Sequence, residues 1–417
     1  MAVCRQRECL MTVNKATTPP SARSTPQVAI IGSGIAGVSA ASTLALGHPE
    51  SANAITLYEI GRGPGGRAAT RKTRAIPALG INHGAPYADI STQQGQARLQ
   101  TLGAATRPYR GKRVIIDGQS GQARARASSA DETLITGPDG EMANIAGAML
   151  KDVHGALLPG ITTAYSSMVR GITRDGGGDG QWVLSDKDSQ EIGRADWLVV
   201  AGSGIAHPRW SATFGGEPPL VLAAAMLNDP MLDAALATIA QQSAAPVLTV
   251  LMYATDEVAA QWRELGFHDG LIENHPVLAK VSIQPGDQSQ CAVVLHSTID
   301  YARENAGVYG SSSSAARIGD ASSDSTREEI LIDEMLSALA SIPAMPRIEK
   351  SRYAFGPLLH RWGNAFPEGP ALPADLAVCS HARVAFCGDY VRTAARMGSY
   401  ECAWLSGIRA GEQIGQS

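Results

Sequence analysis

Residues 28–47 read VAIIGSGIAGVSAASTLALG. Val28–Ile31 is a short run of residues that bury on both faces, as a strand inside a parallel sheet does. A glycine turn follows at once, Gly32-Ser33-Gly34-Ile35-Ala36-Gly37, and Val38–Leu46 continues as a helix of small residues. In such a unit Gly32 permits the tight turn, Gly34 lets the backbone approach a pyrophosphate, and Gly37 lets helix and strand pack closely. Ile35 and Ala36 of the turn are expected at the same ligand, and the helix N-terminus that follows supplies free N–H groups and partial positive charge to phosphates. A second strand, Ala54–Tyr58, ends in Glu59, 22 residues beyond Gly37. An acid at about that distance accepts hydrogen bonds from a ribose. Strand, turn, helix, strand and acid together predict a dinucleotide-binding βαβ unit; an ordinary glycine-rich turn is the plainer alternative.

Residues 60–70 then read IGRGPGGRAAT. The pair Gly65-Gly66 lets a further backbone segment come close to the same ligand, and Arg67 is available to its phosphates. Composition sets the wider bounds. The chain has 417 residues, with 35 Lys+Arg against 39 Asp+Glu and 44% apolar residues. That is enough apolar material for two or three folded domains. A formal charge of −4 removes the main reason to expect a nucleic-acid partner. The longest apolar runs, Pro219–Leu227 and Pro246–Ala254, are far shorter than the roughly 20 residues of a membrane span. Cysteines at 4, 9, 291, 379, 387 and 402 give neither a CxxC pair nor a disulfide framework, so no metal site is expected. No GxSxG, HExxH or GxxxxGK[ST] motif occurs, which sets aside serine-hydrolase, zincin and P-loop chemistry.

Gly61–Thr73 (GRGPGGRAATRKT), followed by Ile81-Asn82-His83-Gly84-Ala85-Pro86-Tyr87, resembles the renalase-like branch of the flavin amine oxidase superfamily. In that family RGxGGRMxTRR precedes a DHGAQYF-type segment. This chain departs from it at Gly63, Asn82 and Pro86. The resemblance implies non-covalent FAD, with His83, Gly84 and Ala85 beside it. Gly137–Asn144 is similar to the family's GxPGM segment, which opens a helix near the cofactor. Arg383–Tyr390, an apolar strand ending in Gly388-Asp389, and Gly398–Gly407 resemble the superfamily's GD…GxVExAxxSG end. By that likeness Asp389 accepts from the ribityl chain, and Tyr400, Glu401 and Ala403 open a helix aimed at the flavin. A helix dipole there favours the negative charge of reduced flavin. His296, closing the strand Gln290–Thr298, and Trp362, in His360-Arg361-Trp362, match family elements that line the pocket over the flavin ring. The alternative for His296 is a hydrogen-bonded core histidine, and for Trp362 a packing aromatic. Gly363 is a further departure.

The expected architecture is α/β: a discontinuous Rossmann-type FAD-binding domain (27–95, 137–210 and 375–417) and an α+β substrate domain on a mixed sheet (96–136 and 211–374). Gly202-Ser203-Gly204 is expected as a strand-ending turn and not a second nucleotide site. Residues 310–325 carry seven serines and are expected as a surface loop. Residues 1–26 are basic, hydroxyl-rich and poor in acids, which fits either an organellar transit peptide or a plain tail. A soluble protein of the cytoplasm or of an organelle follows. The basic clusters Arg67–Arg74 and Arg107–Arg113 are either solvated faces or guides for a phosphorylated substrate. The function implied by the resemblance is hydride transfer from a small electron-rich donor, such as an isomeric dihydronicotinamide dinucleotide, to flavin, with O2 as reoxidant. The alternatives are an amine- or carotenoid-type oxidoreductase and a flavin-binding assembly subunit with little turnover.

Overall fold

The computed structural model describes residues 26–47, 54–74, 76–129, 131–176, 180–287, 289–308 and 324–417. The proposed leader and nearly all of the serine-rich stretch lie outside the described residues. The end of that stretch, Ser325, already belongs to the helix Ser325–Ser341, which Asp324 caps through its side chain.

Two large sheets carry the fold. The first has six strands in the order Ile161–Tyr165, Ile55–Glu59, Val28–Ile31, Trp197–Val200, Val384–Phe386, Val378–Cys379. All but the last pairing are parallel. The apolar strand Val28–Ile31 lies inside it, flanked by Ile55–Glu59 and Trp197–Val200. The helix Ile35–Gly47 is buried almost all round, because the C-terminal helix Tyr400–Gly415 covers the side away from the sheet. Glycines set that approach: a Cβ on Gly407 would stand 2.1 Å from the carbonyl oxygen of Ala36.

The second sheet has seven strands in the order Phe355–Glu368, Ser243–Thr255, Gln290–Ser297, Leu278–Pro285, Asp269–Glu273, Arg113–Asp117, Ala123–Ala125. It is mixed, since Asp269–Glu273 and Arg113–Asp117 run parallel and the other pairs antiparallel. Side chains alternate across a strand, so its two faces differ. One face, with Leu248, Val250, Met252, Val293 and Leu295, forms a core with residues of the helices Asp256–Glu264 and Ser325–Ser341. The other carries Leu251, Tyr253, Ala292 and Val294 and packs on Leu79 and Ile81.

The segment after the fourth parallel strand differs from expectation. Trp210, Leu220, Leu232, Leu236 and Ile239 share a core with Ala29, Leu198, Val200 and Phe386 of the parallel sheet. Residues 211–240, expected with the substrate domain, pack on the nucleotide-side sheet because their apolar faces cover its second side. Among the described residues no helix is long and apolar enough to cross a membrane, and no cluster of His, Cys, Asp and Glu is arranged to hold a metal.

A Cβ on Gly37 would lie 2.0 Å from the Gly32 carbonyl oxygen, whereas one on Gly147 would meet nothing within 4 Å. Gly37→Ala should therefore cost at least about 2 kcal/mol through overpacking, and Gly147→Ala, inside the helix Ala143–Met149, should gain about 0.5–1 kcal/mol. Urea midpoints of the two variants check both signs.

Candidate functional site

The glycine turn does what its residue types require. Gly32 sits at φ +104°, a conformation open to glycine. Glu59 ends the neighbouring parallel strand, and its carboxylate is held in place by backbone and hydroxyl donors. Its Oε2 accepts from the Ser33 amide at 2.9 Å and the Ser33 hydroxyl at 3.1 Å, and its Oε1 accepts from the Gly61 amide at 2.6 Å. The second glycine pair rests on the first turn: Gly34 and Gly65 form a parallel bridge, and the Gly65 amide donates to the Ser33 carbonyl at 2.9 Å. A Cβ on Gly66, which sits at φ +55°, would lie 3.1 Å from the Gly34 Cα, so this approach favours glycine at position 66.

Arg67 leaves that pair and joins distant segments. Its two Nη atoms donate to both carboxylate oxygens of Asp389 at 2.6 Å, and Nη1 also donates to the Ala365 carbonyl at 2.8 Å. Its own carbonyl accepts from the Ala85 amide at 3.1 Å, and a Cβ on Gly84 would strike that carbonyl at 2.0 Å. Gly388 precedes Asp389, and its amide donates to the Ser406 hydroxyl oxygen at 2.8 Å. Thus the separate segments that carry Gly32, Gly34, Ile35, Ala36, Gly37, Glu59, Gly65, Gly66, Arg67, Gly84, Ala85, Gly388 and Asp389 are tied to one another by hydrogen bonds.

Beside them is a cavity of about 360 Å³. Gly32 and Glu59 line one side, Ser167–Val169 another, and Gly202–Ile205, Arg209 and Asn364 close it. Gly202-Ser203-Gly204 leads into a single 3-10 turn, Ser203–Ala206, on the rim of this same cavity. The sequence alone points neither to Arg209 nor to Asn364. They lie far along the chain, and no motif marks them.

The second cluster comes from register. His360, Thr249, His296 and Lys280 pair in succession across four strands, so they share the sheet face opposite Leu295. His83 meets this row. Its ring lies 4.8 Å from that of His360, edge to face, and stacks on Trp362 at 5.0 Å. Trp362 donates its Nε1–H to the His83 carbonyl at 3.3 Å. His83, His296 and Trp362 are therefore brought together, and His360 joins them. Burial keeps all three histidines neutral. It lowers His83 to about 4 and His296 to about 3, and holds His360 well below the usual imidazole range. Positive charge nearby adds to this, from Arg71 at His83 and from Lys280 at His296.

Two expected residues serve other ends. Glu401 is buried with both oxygens committed: Oε2 accepts from the amide and hydroxyl of Ser91, and Oε1 from the amide and hydroxyl of Thr92. Its carboxylate secures the turn into the helix Gln93–Leu102 and is not free for a ligand. Ala403 packs in the core, while Tyr400 keeps a buried hydroxyl without a partner. Three members of the basic clusters are spent on internal ion pairs. Arg113 is paired with Glu132 at 2.6 Å, Lys72 with Glu141, and Arg67 with Asp389. Asn82 also holds the structure together, because its Nδ2 donates to the Gly140 carbonyl at 2.8 Å, which a carboxylate at this position could not do.

Residues 30–99 match the family described as NAD(P)-binding Rossmann-like domain. The matched segment has a Rossmann-like βαβ fold. Its whole fold is similar to that of a putrescine oxidase double mutant redesigned in cofactor binding, with TM-score 0.55 and 12% identity over 94% of this chain and 99% of that one. It is similar as well to a candidate protoporphyrinogen oxidase from Exiguobacterium sp. 255-15, with TM-score 0.56 and 11% identity over the same shares. At these identities the likeness is one of fold.

The three depressed histidines give a pH signature. Below about 6.5 the unfolded chain takes up protons that the folded chain refuses, so their stability contribution is complete above 6.5 and is lost as pH falls towards 4 and 3. Replacing His296 by Gln should flatten the decline by about 1.4 kcal/mol per pH unit between pH 6 and 4. Urea unfolding across that range measures it.

Proposed function

We propose that the chain is an FAD-dependent oxidoreductase that takes hydride from a small electron-rich donor. The observation that carries this reading is a pre-set acceptor, Glu59, that lines one cavity with Gly32 of the first glycine turn, while Gly65-Gly66 packs on that turn and leads to Arg67–Asp389. The strand Phe355–Glu368 links the two clusters, since Asn364 lines the cavity and Trp362, two residues earlier, stacks on His83. When bound, FAD supplies a two-electron acceptor whose N5 receives hydride and which O2 can reoxidise.

The residues fit that group. Glycines leave room where a Cβ would project at Gly34 and Gly66, and Glu59 stands where a ribose acceptor is needed. Cys387 and Cys402 are buried, with their thiols pushed up by burial to about 12 and about 11. Neither presents a thiolate, which supports non-covalent binding. His83, His296, His360 and Trp362 would form the wall against which the donor lies. Being neutral at physiological pH, the histidines orient and desolvate a donor without adding charge, and hydride transfer asks for no strong acid or base. Their apolar edges and the Trp362 face suit a planar ring, which favours a dihydronicotinamide isomer as donor. The likeness in fold to putrescine oxidase supports a second reading, in which the donor is an amine. We assign the parallel-sheet segments, including 211–240, to the cofactor lobe and the seven-stranded sheet to the substrate lobe.

An anaerobic absorbance titration tests the reading. The protein loaded with FAD should show the oxidised flavin band near roughly 450 nm. Substoichiometric dihydronicotinamide isomers made with borohydride should bleach it within seconds, and air should restore it. Bleaching by putrescine alone would move the assignment to the amine reading. A band that no donor bleaches would leave a flavin-binding subunit without turnover, and failure to take up FAD would overturn the cofactor assignment.

A further inference from the structure

The cavity beside the glycine turn is lined by a guanidinium that makes no ion pair within the described residues. Arg209 opens the helix Arg209–Phe214 and lines the cavity together with Gly32 and Glu59. It is half-buried, and its Nη2 donates to the Ser203 hydroxyl at 2.7 Å. Among the described residues no carboxylate lies within ion-pair distance of it. The acid whose field reaches it, Asp389, already has both oxygens bound by Arg67. Glu59 lines the cavity too, but it is held by Ser33 and Gly61 and makes no ion pair with Arg209. Arg67 itself is close enough to repel Arg209, and burial together with that repulsion lowers the proton affinity of Arg209. Arg67 and Asp389 are thus spent on each other beside the cavity, and the Arg209 guanidinium is left without an ion-pair partner.

A half-buried cation without a counter-charge is costly, and proteins retain one where a ligand supplies the anion. Two further observations point to a ligand at this place. Asn364 lines the same cavity with a buried Oδ1 that has no hydrogen-bond partner. Gly32, the first residue of the glycine turn, lines the same cavity, and the turn leads into the 13-residue helix Ile35–Gly47, whose N-terminus favours phosphate. A guanidinium presents parallel N–H groups that match two phosphate oxygens, which an ammonium cannot do.

We propose that Arg209 is a phosphate ligand, receiving the diphosphate of the dinucleotide that lies on the Gly32–Gly37 turn. The assignment rests on the flavin reading above for the identity of that dinucleotide, but on the unpaired charge for the diphosphate.

The full chain, stripped of flavin, is titrated with FAD and with riboflavin, which lacks phosphate, following quenching of flavin fluorescence. Melting temperature is followed with inorganic pyrophosphate alone. Arg209→Gln should weaken FAD binding tenfold or more and leave riboflavin binding unchanged. Pyrophosphate should raise the melting temperature of the wild type and compete with FAD, and do neither in the variant. Arg209→Lys, which keeps the charge without the fork, should fall between the two and carries the test should the Gln variant not fold. Equal FAD affinity in wild type and variant, or a parallel loss for FAD and riboflavin, would overturn the proposal. Should the wild type bind no FAD, the flavin reading falls separately, and Arg209 is then judged on pyrophosphate. A wild type that pyrophosphate does not stabilise, or that it stabilises no more than it does Arg209→Gln, overturns the proposal as well.

Discussion

Arg67 is the point at which distant parts of the chain are made to meet. Its guanidinium grips Asp389, 322 residues away, with two 2.6 Å hydrogen bonds, and also reaches the Ala365 carbonyl, 298 residues away. Its own carbonyl holds the Ala85 amide. Four separate stretches are thereby brought to one place: the double glycine turn, the His83 segment, the long strand of the second sheet and the Gly388-Asp389 strand end. None of this works unless backbone can approach backbone. Gly34, Gly65, Gly66 and Gly84 supply that freedom, and an alanine at Gly84 would collide with the Arg67 carbonyl. The bidentate geometry of the pair then fixes orientation as well as distance.

The second sheet depends on a simpler constraint, the alternation of side chains across a strand. One face is uniformly apolar and lies under two helices. The other has to combine apolar packing with His296, Thr249, His360 and Lys280 in one cross-strand row. Burial of that row, and of His83 against it, makes the histidines poor proton acceptors. The result is a cluster of neutral histidines and Trp362, joined through the strand Phe355–Glu368 to the cavity that Arg209 lines. Such a division suits a ligand with a phosphate-bearing half and a planar reactive half.

How much of this is legible in the sequence depends on the range over which each feature is encoded. The glycine turn, Glu59, Gly65-Gly66 and the Gly388-Asp389 strand end are local patterns, and each stands in the structure where the pattern implies. His83, His296 and Trp362 are marked by ordered motifs, and strand register explains why they converge. Arg209 and Asn364 carry no such mark, because their meaning comes only from the cavity they share. Glu401 departs from its expected role because its position in a helix says nothing about which neighbour claims its carboxylate, and the Ser91–Thr92 turn is 310 residues away in sequence. Residues 211–240 join the other sheet for a similar reason: amphipathic helices announce an apolar face but not what it covers.

The central claim is that one flavin dinucleotide is held without a covalent bond on the Gly32–Gly37 turn. The most direct measurement is to purify the full chain with FAD, precipitate it with acid, and quantify flavin in the supernatant and the pellet. The account predicts close to one FAD per chain, all of it released. A chain that carries no flavin, or one whose flavin remains with the precipitated protein, would contradict it.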